Sequence, residues 1–198
     1  MDKYFPKKKG INTDNLKITD IGKFSITFPT EADEITNIIS KQFKTPGDIV
    51  ITDATACVGG NSINFANNFA HVNSVEVSPL ECETLKNNIK VYGLQNKISV
   101  HCADYLTIKD KLVQHVIFFD PPWGGPGYRY KKRLNMNLSG IDIVQVISTL
   151  LKKAKLIVVK APSNYNISRL ITNLSVKKIS IYKLEKYNVI TISPKNDK

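Results

Sequence analysis

The sequence predicts an α/β domain built on a mostly parallel seven-stranded sheet, with helices on both faces and an antiparallel hairpin at its C-terminal end. Three observations carry that prediction. Short β-branched runs alternate with amphipathic stretches from residue 48 onward. Two strand-like runs follow each other directly near the end, with no room for a helix between them. The length, 198 residues, suits one domain with a core of ordinary size. Strands joined through helices need crossover connections and therefore lie parallel, whereas strands joined by a short turn fold back antiparallel.

The elements follow in order. Residues 1–47 are polar and irregular, with a short helix expected over 31–43 and a turn at Thr45-Pro46-Gly47. The strands DIVITDATA (48–56), NSVEV (73–77), KISVHC (97–102), HVIFFD (115–120) and KLIVVKAP (155–162) come next. Each is followed by a helical pattern: NSINFANNFA, SPLECETLKNNIKVYG, LTIKDKL, IDIVQVISTLLKKA and NISRLITNL. The final pair, KKISIYKL and YNVITIS, completes seven strands. The organisation expected is an N-terminal extension, 1–45, packing near a substrate site, followed by a catalytic-type domain over 46–198.

Composition narrows the function. No apolar run approaches the roughly 20 residues that span a bilayer, and the Lys-rich start broken by Pro6 lacks the apolar segment of a signal peptide. An intracellular chain, in cytoplasm or nucleus, without a membrane partner is expected. The three cysteines, Cys57, Cys82 and Cys102, are odd in number and contain no Cys-x-x-Cys, so neither a disulfide framework nor a zinc site is implied. Lys and Arg number 28 against 17 Asp and Glu, a net charge of +11, which points to an anionic partner such as nucleic acid. The excess is nearly all lysine, which AT-rich coding would also produce. Clusters at Lys7-Lys8-Lys9 and over 129–133 favour the nucleic-acid reading.

In an open α/β sheet, ligands bind beyond the carboxyl ends of the strands. The first such loop is Asp53-Ala54-Thr55-Ala56-Cys57-Val58-Gly59-Gly60-Asn61. Paired glycines let backbone approach a ligand, and a helix start offers free N–H groups. It is neither a dinucleotide fingerprint nor a P-loop, which disfavours NAD and ATP. The second strand ends at Glu76, roughly twenty residues past the glycines, where an acid can accept both hydroxyls of a ribose. The third ends in Asp104-Tyr105, an acid and an aromatic suited to an adenine. Together these strand ends point to S-adenosylmethionine.

The fourth strand leads into Asp120-Pro121-Pro122-Trp123-Gly124-Gly125-Pro126-Gly127-Tyr128. Methylating an exocyclic amine is hard because its lone pair is delocalised into the ring and positive charge grows on nitrogen as the methyl arrives. Acceptors aimed at the N–H groups address both difficulties. The Asp120 carboxylate and Pro121 carbonyl are such acceptors, and Trp123 can stack a planar base.

Here the chain resembles the trimethylguanosine synthases, which methylate the exocyclic N2 of a 7-methylguanosine RNA cap. The string Pro-Pro-Trp-Gly-Gly-Pro looks like their signature. Phe24-Ser25-Ile26-Thr27 with Pro29 and Glu31, Asp53 with Val58-Gly59-Gly60-Asn61, and Asn87-Asn88 with Val91-Tyr92-Gly93 extend the resemblance over about residues 20–165. It implies a Rossmann-like class I methyltransferase fold, S-adenosylmethionine as cofactor and capped RNA as partner. By that resemblance Trp123 stacks on the cationic 7-methylguanine, and Asp120 and Pro121 receive the N2 amine. Asp53, Thr55, Gly59, Gly60, Asn61, Glu76, Asp104 and Tyr105 form the cofactor site, and Tyr128, Lys8, Arg129, Lys160 and Asn164 join the substrate side, the cations facing the cap phosphates. The chain departs from the family pattern at several places. Cys57 stands where the cofactor loop usually has its first glycine and Thr55 where it has an aromatic, Ser163 replaces an arginine, and an extra residue precedes Pro29. Asp120 is frequently serine in cap enzymes, whereas Asp is typical of adenine-N6 methyltransferases. Two alternatives therefore stand beside the cap reading: methylation of another exocyclic base amine in RNA or DNA, and a silent module that binds RNA.

Overall fold

The computed structural model describes residues 1–195. The chain divides into two units, Met1–Gln114 and His115–Lys198. The first contains helices α1 (Asp20–Ser25) and α2 (Pro29–Ser40), strand β1 (Val50–Asp53), α3 (Gly60–Phe65), β2 (His71–Glu76), α4 (Pro79–Val91), β3 (Ile98–Cys102) and α5 (Tyr105–Ile108). β1 and β2 pair in parallel from Val50↔His71 to Asp53↔Ser74, and β2 and β3 from Val72↔Ile98 to Glu76↔Cys102. Ile51, Val72, Val75 and Ile98 are buried, as strands covered by helices require.

The N-terminal segment is more ordered than its composition suggests. α2 starts at Pro29 rather than 31, because proline suits the first helical turn and the Glu31 carboxylate accepts the Phe28 N–H at 3.4 Å. Ala32, Ile35, Thr36 and Ile39 form its buried face at helical spacing. Phe5 is fully buried, and the Tyr92 hydroxyl donates to the Pro6 carbonyl at 2.6 Å. Asn88 on α4 is also fully buried. Its amide donates to the carbonyls of Lys17 (2.9 Å) and Val58 (3.0 Å), while its Oδ1 accepts the Lys17 N–H at 2.8 Å. The anchors of the segment lie some seventy residues away, where no local reading of residues 1–47 can see them.

One expectation is corrected outright. Cys82 on α4 and Cys102 at the end of β3 form a disulfide, with Cα atoms 5.6 Å apart. The packing of α4 on β3 brings together two cysteines that sequence spacing keeps separate. Cys57 stands outside this bond.

The second unit holds β4 (Val116–Phe119), a two-residue antiparallel pair β5 (Asn137–Leu138) and β6 (Ile141–Asp142), α6 (Ile143–Leu150), β7 (Leu156–Pro162), α7 (Ser168–Asn173), β8 (Lys178–Lys183) and β9 (Tyr187–Ser193). β4 and β7 are parallel, from Val116↔Leu156 to Phe119↔Val159. β9 runs antiparallel to both β7 and β8, so the expected terminal hairpin is present. The sheet order is β3-β2-β1-β4-β7-β9-β8, the seven-stranded, mostly parallel arrangement that the alternating pattern predicts. Among the described residues no helix is long and apolar enough to cross a membrane.

Candidate functional site

In the first unit the carboxyl ends of three parallel strands supply the polar groups. Glu76, closing β2, spends both oxygens on backbone: Oε2 accepts the Cys57 N–H and Oε1 the Ser78 N–H, each at 2.8 Å. Cys57 has φ 48°, in the left-handed region that favours glycine. The family's glycine position is therefore held in a glycine-like conformation by a residue with a side chain. Its bond to Glu76 and that of the Ala56 N–H to the Val75 carbonyl (2.9 Å) tie the loop to β2. Asp53 is fully buried and accepts the Ser62 hydroxyl at 2.7 Å and the Thr55 N–H at 3.4 Å, so it shapes the loop from inside.

The two glycines have a packing reason. Gly59 has φ 101°, and a Cβ there would lie 2.8 Å from Leu85 Cδ1. A Cβ on Gly60 would lie 2.7 Å from the Thr27 carbonyl oxygen, where the N-terminal segment crosses α3. Asn61 donates to Thr27 Oγ1 at 2.9 Å. Its Oδ1 is buried with no hydrogen-bond partner among the described residues. Such an orphaned acceptor fits a ligand that brings an N–H donor.

Asp104 caps α5 by accepting the Leu106 N–H at 2.8 Å. Tyr105 turns inward: its ring is buried, its hydroxyl donates to Gln114 Oε1 at 3.3 Å, and burial pushes that hydroxyl's pKa upward. The side chain is thus a core member, which corrects its expected role as a stacking surface. Lys8 is exposed on the N-terminal segment, beside a cavity of about 220 Å³ lined also by Pro6, Ile63 and Tyr92.

In the second unit Asp120 follows β4, and its Oδ2 accepts the Lys160 ammonium at 2.8 Å. Trp123, half-buried, meets Tyr128 edge-on with ring centroids 5.1 Å apart and an interplanar angle of 76°. Gly124 and Gly125 have φ 89° and 73°, so the turn after the tryptophan needs both glycines. Arg129 is exposed and stands 5.6 Å from the Tyr128 ring centroid. Asn164 donates to the carbonyls of Tyr128 (2.8 Å) and Lys131 (2.7 Å), stapling the loop after β7 to the aromatic loop. Lys160, expected to face the cap phosphates, lies beside the aromatic loop instead of on the open surface. It is buried, paired with Asp120 and 5.4 Å from the Trp123 ring centroid. Tyr187, at the start of β9, lies under the same ammonium at 4.9 Å, a neighbour that sequence reasoning missed because its contact crosses from β7 to β9.

This sheet order, with acids closing consecutive parallel strands and an aromatic loop after β4, defines a class I S-adenosylmethionine-dependent methyltransferase fold. It is similar to the Thermus thermophilus 16S rRNA N2 G1207 methyltransferase, solved with AdoMet and guanosine, at TM-score 0.65 and 12% identity, covering 83% of this chain and 43% of that one. The family described as RNA cap guanine-N2 methyltransferase matches residues 49–196, and the chain belongs to that family. Its methyl donor is accordingly S-adenosylmethionine. The uncharacterized protein L320 of Acanthamoeba polyphaga mimivirus is 33% identical over 95% of this chain and 83% of its own length. The trimethylguanosine synthase of Schizosaccharomyces pombe is 34% identical over 94 residues, and the match spans 44% of this chain and 39% of the synthase.

Proposed function

We propose that this RNA methyltransferase transfers a methyl group to the exocyclic N2 of the 7-methylguanosine cap of RNA inside the cell. The observation that carries the reading is that the half-buried Trp123 ring of the Pro-Pro-Trp-Gly-Gly-Pro loop and the Asp120 carboxylate just before it both neighbour one ammonium, that of Lys160. A cationic 7-methylguanine gains from an aromatic face, and its N2–H groups need an acceptor at the ring edge.

S-adenosylmethionine supplies an electrophilic methyl on sulfur. Transfer breaks that S–C bond, forms the N–C bond and releases one proton from nitrogen. On this reading Glu76 accepts the ribose hydroxyls, Asp104 the adenine edge, and Asn61 Oδ1 the ammonium of the methionine part. Asp53, Thr55, Gly59 and Gly60 shape the loop around it. Asp120 and the Pro121 carbonyl orient the acceptor amine, Tyr128 walls the tryptophan, and Lys8 and Arg129 face the cap phosphates. Asn164 acts through the loop it staples.

The test is transfer of labelled methyl from S-adenosylmethionine to 7-methylguanosine triphosphate, with GTP, uncapped RNA and DNA in parallel. Transfer confined to the N7-methylated nucleotide supports the cap reading. Activity only on uncapped nucleic acid supports the second reading, methylation of another exocyclic base amine such as adenine N6, which the aspartate at position 120 favours. No binding of S-adenosylmethionine at all supports a silent module that binds capped or other RNA. Trp123→Ala is expected to weaken 7-methylguanosine triphosphate binding by about 1–3 kcal/mol in calorimetry; unchanged affinity rules out the stack.

A further inference from the structure

The Lys160 ammonium has an unusual set of neighbours for a cation. It lies 2.8 Å from Asp120 Oδ2, 5.4 Å from the Trp123 ring centroid and 4.9 Å from the Tyr187 ring centroid. The side chains of Lys160 and Asp120 are only 7% and 12% exposed. The parallel register Phe119↔Val159 makes Asp120 and Lys160 the next pair along β4 and β7. Their contact therefore comes from adjacent strands and not from a chance meeting of flexible surface chains.

We propose that Lys160 is a positioning and specificity-determining residue: it fixes the Asp120 carboxylate at the acceptor amine and cancels its charge beside the base-stacking tryptophan. This rests on the reading of Asp120 and Trp123 given above. A carboxylate has about four lone-pair directions, so holding one ammonium does not exhaust it, and the ammonium restricts the rotamers from which it can receive an amine. Removing the cation from a buried ion pair is costly to the carboxylate left behind. While the pair is intact, the Lys160 and Asp120 charges offset each other. A base stacking there is then selected by its ring more than by a net local charge. Removing the Lys160 ammonium makes the local field more negative, which favours a cationic 7-methylguanine over a neutral guanine.

The experiment compares wild type, Lys160→Met and Lys160→Arg in calorimetry with four ligands: 7-methylguanosine, guanosine and their 5′-triphosphates. Turnover with S-adenosylmethionine is measured beside it. Lys160→Met is expected to lower kcat by about tenfold or more through loss of amine orientation, with the KM for S-adenosylmethionine unchanged. It is also expected to raise the ratio of 7-methylguanosine to guanosine affinity several-fold, equally with and without phosphates, and Lys160→Arg to restore the wild-type ratio. A loss confined to the triphosphates makes Lys160 a phosphate ligand and overturns the proposal. A lower melting temperature with kcat and the ratio both unchanged makes it merely structural and overturns it too. Failure of wild type to bind or methylate any 7-methylguanosine compound overturns the cap reading instead. In that case emission from Trp123, the only tryptophan in the chain, still decides on Lys160 without substrate. A shift in Lys160→Met that Lys160→Arg reverses supports the arrangement, and identical emission in all three overturns it.

Discussion

At the scale of single residues, Glu76 couples two functions. Its carboxylate holds the Cys57 and Ser78 N–H groups, and so the left-handed turn of the loop, while remaining able to accept further donors. Glu76→Gln must aim its amide NH2 at one of those two backbone donors. S-adenosylmethionine affinity is expected to fall by about 1.5–3 kcal/mol, the scale of hydrogen bonds to charged groups. Calorimetry with the cofactor alone checks this, and an unchanged affinity removes Glu76 from the cofactor site. Acids such as Glu76, Asp104 and Asp120 were legible in the sequence because a strand end and a residue type are both local properties. What each acid pairs with was not. Lys160 reads in sequence as a cation for the cap phosphates, and only the β4–β7 register reveals it as the partner of Asp120.

At the scale of elements, every strand of the main sheet was readable from β-branched runs and their spacing, and the terminal hairpin from the missing helix. Of the N-terminal helices only α2 was readable, with its start misplaced by two residues; α1 and the cysteine pairing were not, the latter because it depends on contact between distant segments. The Cys82–Cys102 bond joins α4 to β3 across 20 residues of chain. Closing a loop of that length removes unfolded-state freedom worth about 3 kcal/mol. Reduction, or Cys82→Ser, is therefore expected to lower the melting temperature measurably while the far-ultraviolet dichroism of the folded chain stays the same. An identical melting temperature with and without reductant contradicts a stabilising bond. Because Cys102 pairs in register with Glu76, the bond also braces the strand end that carries the proposed ribose acceptor.

At the scale of the whole molecule, burial sets the pH limits of stability. His101 and His115 are held below the ordinary value near 6.5 chiefly by desolvation, with a smaller push from His71 and Lys155 respectively. The unfolded chain then binds protons that the folded one resists, so stability falls as pH drops below about 6.5. Tyr92 and Tyr165 are each pushed up to about 12, mainly by burial. Their neutral forms favour the fold up to pH 10, and that contribution drains away between about 10 and 12. Chemical denaturation across pH is expected to give a plateau from roughly 6.5 to 10 with losses on both sides. A stability that keeps rising above pH 10 contradicts the tyrosine assignment.

Asn88 has a consequence for how this chain is handled and regulated. One fully buried amide grips the backbone at Lys17 and, with its second N–H, the backbone at Val58 in the loop before α3. The N-terminal stretch and the loop therefore share one free energy. Whatever tightens the loop also raises the cost of peeling the first seventeen residues away, and by thermodynamic reciprocity a protease, a fused tag or a partner that pulls on that stretch loosens the loop by the same amount.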